Sequence, residues 1–257
     1  MDKKINRGIL IAGLQQSGKT YFTEQLCKSK NIFGFSVVYN IGRVSDWQNA
    51  VEIEPITPDL MPSQKEAQKA RDRFFCVDFW KVKNTGKVVA SKDVPKIFKG
   101  KTVKIYRSQN WEKQIFNCFY EYFFGGLLIL DDFRVSTRHG LKDYHIQLFS
   151  RQNHTGAKHT KSSGMDIAWI YHNLDTPPGE LYDYCSHLVL FKLNSPPKPP
   201  TGELATDEVI FDTIEKVNKL PRFSYAAIQI RDCEKPLVHF FNSSPATLIK
   251  TLKDIKV

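Results

Sequence analysis

Short apolar runs alternate with polar, helix-patterned stretches along the 257 residues. Ile9–Ala12 is an apolar run bounded by glycines and too short for a helix, so it predicts a buried strand. The stretch from Lys19 to about Lys28 predicts a helix, and Phe35–Tyr39 (FSVVY) a second strand ended by Asn40-Ile41-Gly42. Strand, helix and strand in succession imply parallel pairing with helices on the sheet faces. Further strands are expected at Phe74–Val82 (FFCVDFWKV), Lys87–Ala90, Lys101–Tyr106, Gly125–Leu130, Asp166–Tyr171, His187–Leu193, Phe223–Ile230 and Leu237–Phe241. The turn Asn84-Thr85-Gly86 makes the first two a hairpin, and the last two form another around Asp232–Lys235. Helices are expected at Ser63–Arg73, Leu141–Phe149, Glu180–Tyr184, Asp207–Lys219 and Pro245–Lys253. One more, Trp111–Phe123, carries Trp111, Ile115, Cys118, Phe119 and Tyr122 on one face, a stripe read as core.

The pattern describes an α/β fold with a mostly parallel central sheet flanked by helices. It is read as a single domain over 1–257, with 44–101 as an insertion and 203–257 as a C-terminal helix–hairpin–helix extension. Composition agrees: 41% hydrophobic and 25% charged residues are ordinary globular values. Five cysteines with no C-x-x-C pair read as free thiols in a reducing compartment, not as a zinc site. The charged start MDKKINR runs straight into a strand, which argues against a signal peptide. The longest apolar stretch, near Phe123–Leu130, is too short to span a bilayer, so a soluble cytosolic protein without a transmembrane segment is expected.

Charge adds a partner. The net charge is +10 and the pI about 9.3, which favours a polyanion such as nucleic acid. Lys96, Lys99, Lys101 and Lys104, and then Lys158, His159 and Lys161, form basic stretches. They read equally well as a track for a nucleic-acid backbone and as a solvated basic edge.

The chemistry is concentrated in Gly13-Leu14-Gln15-Gln16-Ser17-Gly18-Lys19-Thr20. This is G-x-x-x-x-G-K-[ST] between a strand and a helix, a loop whose backbone N–H groups cradle phosphates. Lys19 reaches the β- and γ-phosphates and the Thr20 hydroxyl ligates Mg²⁺; with Tyr21, the run 13–21 is the candidate nucleotide contact. Downstream, the apolar strand before Asp131-Asp132 delivers two carboxylates to the C-terminal edge of the sheet. Asp131 is the candidate Mg²⁺ ligand, and Asp132 the group that orients or deprotonates an attacking water. Asp166–Tyr171 ends in His172-Asn173, polar tips placed to sense the γ-phosphate, with Asn173 slightly favoured.

GLQQSGKT, then LLILDDF, then a helix ending in LFSRQNHTG, then DIAWIYHNLDTPPGEL, then SHLVLFKL resembles the DNA-packaging ATPases of membrane-containing icosahedral viruses, within the FtsK–HerA superfamily. The landmarks run from Gly8 to about Leu193; the stretch 44–101 has no counterpart in them. The resemblance implies a RecA-like P-loop NTPase core, ATP and Mg²⁺ as cofactors, and a homo-oligomeric ring (pentamer or hexamer) with ATP at subunit interfaces. It implies a DNA genome as substrate, a capsid or membrane-vertex protein as docking partner, and a place in the host cytoplasm and at the packaging vertex of the virion. A neighbouring subunit would donate an arginine to the transferring phosphate, with Arg151 the first candidate and Arg138 the second. The chain departs from the family in having Asp132 for the usual Glu and His172-Asn173 for the usual Gln. The alternatives are a P-loop kinase with residues 43–100 as a lid, a filamentous-phage-type assembly or secretion ATPase, and a non-catalytic nucleotide-binding module.

Overall fold

The computed structural model describes residues 7–31, 34–40, 47, 49–57, 74–152, 155, 164–194, 203–231 and 233–241. Among them, eleven strands form one sheet: β1 (Gly8–Ala12), β2 (Ser36–Asn40), β3 (Val51–Pro55), β4 (Phe79–Val82), β5 (Val88–Ala90), β6 (Thr102–Tyr106), β7 (Gly126–Asp131), β8 (Met165–Tyr171), β9 (His187–Leu190), β10 (Tyr225–Gln229) and β11 (Leu237–Phe241). Their order is β11-β10-β9-β1-β8-β7-β2-β6-β3-β4-β5. The seven strands from β9 to β3 run parallel, and an antiparallel pair closes each end.

The central strands are mostly apolar because both faces are covered, with Lys104 of β6, Asp166 of β8 and His187 of β9 among the buried polar exceptions. Ile9, Ile11, Val38, Leu127, Ile129, Ala168 and Ile170 pack on one side with Phe22, Leu26 and Cys27 of α1 (Lys19–Asn31). The alternate residues Leu10, Val37, Tyr39, Leu128, Leu130, Ile167 and Trp169 pack on the other. There they meet Ile115, Phe116 and Phe119 of α3 (Glu112–Tyr122), Leu148 and Phe149 of α4 (Asp143–Ser150), and Ile210 and Ile214 of α5 (Leu204–Lys219). The remaining α2 (Val94–Ile97) is a single turn before β6. Each fully buried Ile or Leu on these faces contributes about 1.5–3 kcal/mol. The stripe on α3 is core, as its spacing requires: Ile115, Cys118 and Phe119 are inaccessible, while Trp111 and Tyr122 are partly buried. None of the five cysteines is in a disulfide.

Several boundaries shift. Val51–Pro55, not expected as a strand, lies parallel to β6 with Glu52 opposite Lys104. The run 74–82 is extended only from Phe79, where β4 pairs with both β3 and β5. The described part of 44–101 therefore widens the sheet by three strands. Residues 180–184 form a 3₁₀ turn from Gly179, and β9 stops at Leu190. Phe223, expected to open β10, sits instead in a turn closed by a Ser224 N–H to Pro221 carbonyl bond of 3.1 Å. The helices expected at 63–73 and 245–253 lie outside the described residues. Among the described residues, no helix is long and apolar enough to cross a membrane.

Candidate nucleotide site

The loop leaving β1 is tied to the end of β9. Phe191 N–H donates to the Ala12 carbonyl at 2.9 Å, and Leu14 N–H to the Lys192 carbonyl at 2.8 Å. This close approach demands glycine at position 13, where a Cβ would lie 2.5 Å from Phe191 Cβ and 3.0 Å from Ser17 Oγ. Gln16 (φ 59°) and Gly18 (φ 103°) are left-handed, and such alternation turns successive N–H groups into one concavity. Ser17 Oγ is buried in that bend and has no hydrogen-bond partner among the described residues. Lys19, also buried, folds back over the loop and donates from Nζ to the carbonyls of Gly13 and Leu14, both at 2.6 Å. Burial pulls its pKa down to about 8, against the opposing pull of Asp131 and Asp132. Thr20 is half-buried at the start of α1, and Gln15, Gln16 and Tyr21 are exposed.

The two acids arrive where the sheet order puts them. Asp131 is the last residue of β7, and its Oδ2 accepts a 3.1 Å bond from Trp47 Nε1. Asp132 is left-handed (φ 46°, ψ 45°) and leads into a 3₁₀ turn, Phe133–Val135. Among the described residues its Oδ1 makes no hydrogen bond, but lies 3.6 Å from Arg134 Nε and 3.8 Å from His172 Nε2. His172 is there because β8 runs between β1 and β7, so its tip opens between the phosphate loop and the acids. Burial, and then Lys19 nearby, lower the His172 pKa, while Asp132 opposes the change. Asn173 is turned aside, its Oδ1 accepting from Thr176 Oγ1 at 2.7 Å. Of the two tip residues, His172 faces Asp132.

The turn after Asp132 is braced from below. Ser136 Oγ bonds to the buried Glu112 carboxylate, which also meets Lys142 Nζ (3.3 Å), Tyr144 OH (3.2 Å) and Arg107 Nε (3.5 Å). Burial alone would raise the Glu112 pKa, but Ser136, Arg107 and Lys142 outweigh it and hold the carboxyl below its ordinary value. Thr137 Oγ1 and Tyr171 OH, 3.0 Å apart, join the same turn to the tip of β8.

The candidate arginines separate. Arg138 is exposed in the loop after Asp132, on the phosphate-loop edge of the sheet. Arg151 is exposed at the far end of α4, its Nη1 3.4 Å from Tyr120 OH, at the opposite edge. Lys96, Lys99 and Lys101 are exposed on that opposite edge too. Lys104 does not belong with them: it is buried in β6 with Nζ 4.7 Å from the Tyr106 ring centre. Lys158, His159 and Lys161 lie outside the described residues.

Trp47 and Arg134 join the site beyond the residues its motifs mark. Arg134 follows Asp132 by two residues in the same loop. Trp47 is 84 residues from its partner, and no local signal joins them; its φ of 62° is unusual for so bulky a side chain.

The donor set fits a magnesium-bound nucleoside triphosphate. The loop presents N–H groups, a buried hydroxyl with no partner among the described residues and a lysine, and an aspartate stands opposite at the end of β7.

No family profile matches the chain, and no curated protein matches its sequence. Solved structures do match its shape. The genome packaging NTPase B204 of Sulfolobus turreted icosahedral virus 2 aligns at TM-score 0.54 and 10% identity in its sulfate complex, covering 93% of this chain and 97% of that one. Its AMPPCP complex gives 0.56 and 10%, covering 91% and 97%. B204, the DNA-packaging ATPase of Sulfolobus Turreted Icosahedral Virus, gives 0.53 and 14%, covering 91% and 98%. At such identities the likeness is one of fold, and this chain therefore has the α/β fold of a P-loop NTPase, built on a large, mostly parallel sheet flanked by helices.

Proposed function

We propose that this chain is an ATP-hydrolysing motor of the FtsK–HerA superfamily that pumps a viral DNA genome into a capsid. The observation that carries the reading is the convergence on one sheet edge of the phosphate loop, Asp131, Asp132 and His172, with β8 set between β1 and β7. Coverage of more than nine-tenths of the B204 packaging NTPases by the same fold supports the packaging assignment.

The N–H groups of Gln15, Gln16, Gly18 and Lys19, together with the Lys19 ammonium, bind the phosphates, and Thr20 and Asp131 would hold Mg²⁺. Mg²⁺ held there would supply neutralisation of the charge on the phosphates. Asp132 orients the attacking water and accepts its proton, its Oδ1 being free of hydrogen bonds among the described residues. His172, beside Asp132 and toward Lys19, reports whether the terminal phosphate is present. Copies assemble as a ring of five or six with ATP between subunits, and an exposed arginine of the neighbour, Arg151 or Arg138, completes each site. Basic loops hold the DNA backbone without reading bases, as a motor for any sequence requires. Docking on a capsid or vertex protein places the ring in the infected cytoplasm and then on the virion. The kinase alternative needs a lid, whereas the described part of 44–101 is built into the sheet.

The test is ATP hydrolysis with and without double-stranded DNA, for the wild type and for Lys19→Ala, Asp132→Asn, Arg151→Ala and Arg138→Ala. A motor is DNA-stimulated, loses activity at Lys19 and Asp132, and recovers part of it when an arginine variant is mixed with Asp132→Asn. No hydrolysis under any condition, or phosphate transfer to a small molecule, overturns the reading.

A further inference from the structure

The loop joining α5 to β10 brings two residues to the phosphate loop that the mechanism above does not use. Arg222 and Phe223 are the central residues of the turn Pro221–Ser224. Arg222 Nη2 donates to Gln16 Oε1 at 3.3 Å, and its guanidinium lies 5.4 Å from the Phe223 ring centre. Phe223 Cδ1 would be 3.4 Å from a Cβ at Gly18, so the ring rests on the outer wall of the phosphate loop, yet it is 51% exposed. The chain does not hide this ring, although it buries its neighbours. Phe22, Phe191, Tyr225 and Phe241 form a continuous aromatic stack below, with ring centres 5.0–5.9 Å apart.

Sheet order gives the site a direction. Asp131, Asp132 and His172 come from β7 and β8, on one side of β1. Phe191 follows β9 and Phe223 precedes β10, on the other side. A triphosphate lying in the loop with its terminal phosphate toward the acids has its nucleoside end toward Phe223. We infer that Phe223, with Arg222 stacked on it, is the platform for the nucleobase. An exposed aromatic face and a planar guanidinium are what a flat heteroaromatic ring stacks on. The bond from Arg222 to Gln16 holds the platform in register with the loop. The inference rests on the nucleotide reading of residues 13–20 and adds where the base lies and what binds it.

Calorimetric titration of the full chain with MgATP and with magnesium tripolyphosphate, which has no base, tests this. The wild type binds both, ATP the more tightly. Phe223→Ala weakens ATP by roughly tenfold and leaves tripolyphosphate unchanged, Phe223→Tyr restores ATP binding, and Arg222→Ala also weakens ATP selectively. Lys19→Ala weakens both ligands. Equal losses of ATP and tripolyphosphate in the Phe223 and Arg222 variants, or no loss of either, overturn the platform while the phosphate site stands. A wild type that binds neither ligand overturns the platform and the nucleotide reading together.

Discussion

Lys19 makes the phosphate site sensitive to alkaline pH in a way that follows from its burial. The ammonium is nearly inaccessible and donates to two carbonyls at 2.6 Å, which replace only part of its hydration. Burial therefore moves its pKa to about 8, and Asp131 and Asp132 recover only some of the shift. The sign follows directly. Only the protonated lysine attracts phosphate, so raising the pH through 8 removes the charge from the empty site. At pH 9.5 about 3% of the empty protein remains protonated, and an affinity that depends on this charge falls roughly thirtyfold from its value near neutrality. The phosphate's own ionisation, near pH 6, is about nine-tenths complete at pH 7 and all but complete by pH 8, so it acts in the opposite direction and does not mask the effect. The assay is the dissociation constant of MgATP by calorimetry at half-unit steps from pH 7 to 9.5, with Lys19→Met as the control. The wild type should weaken above pH 8 and converge on the variant, whose profile stays flat. A wild-type constant unchanged across the range would refute the reasoning, because it would mean that the lysine keeps an ordinary pKa or takes no part in binding.

Trp47→Phe keeps an aromatic ring, smaller by the fused pyrrole, but removes the donor to Asp131. A hydrogen bond to a charged group contributes about 1.5–3 kcal/mol, so the Mg²⁺ concentration for half-maximal ATPase should rise while nucleotide binding in EDTA does not change. Gly13→Ala forces a Cβ to within 2.5 Å of Phe191 Cβ, and thermal melts should show a loss of about 1–3 kcal/mol together with failure to bind MgATP. His145 is caged by Phe116, Phe133, Tyr144 and Phe149, and burial drives its pKa to about 3. The unfolded chain takes up this proton first, so stability is lost as pH falls from about 6.5 toward 3, by up to about 1.4 kcal/mol per unit. Urea midpoints at pH 7, 6, 5 and 4 should fall more steeply for the wild type than for His145→Phe, and parallel curves would contradict the assignment.

The phosphate loop was legible because its chemistry is contiguous. Eight consecutive residues supply the turn, the N–H groups and the lysine, and the helix that follows starts at Lys19 as the spacing demands. The strands β1, β7 and β8 were legible for a related reason: strands covered on both faces are apolar along nearly their whole length, Asp166 near the start of β8 and Asp131 at the end of β7 apart, and such runs are visible without knowing their neighbours. Strand ends were less so. Phe223 carries the same apolar signal as Tyr225, and only the turn at Pro221–Ser224 separates an exposed ring from a buried one. Lys104 reads as one of a basic cluster until its place in β6 buries it. The 3.8 Å approach of His172 to Asp132, the bond from Trp47 to Asp131 across 84 residues and that from Arg222 to Gln16 across 206 depend on strand order and on loop paths. Hydrophobic patterning says which residues leave water but not which strand lies beside which. The parts of this site written in one stretch of chain were readable from the residues, and the parts assembled across the sheet edge exist only once β8 lies between β1 and β7, and β9 and β10 on the other side.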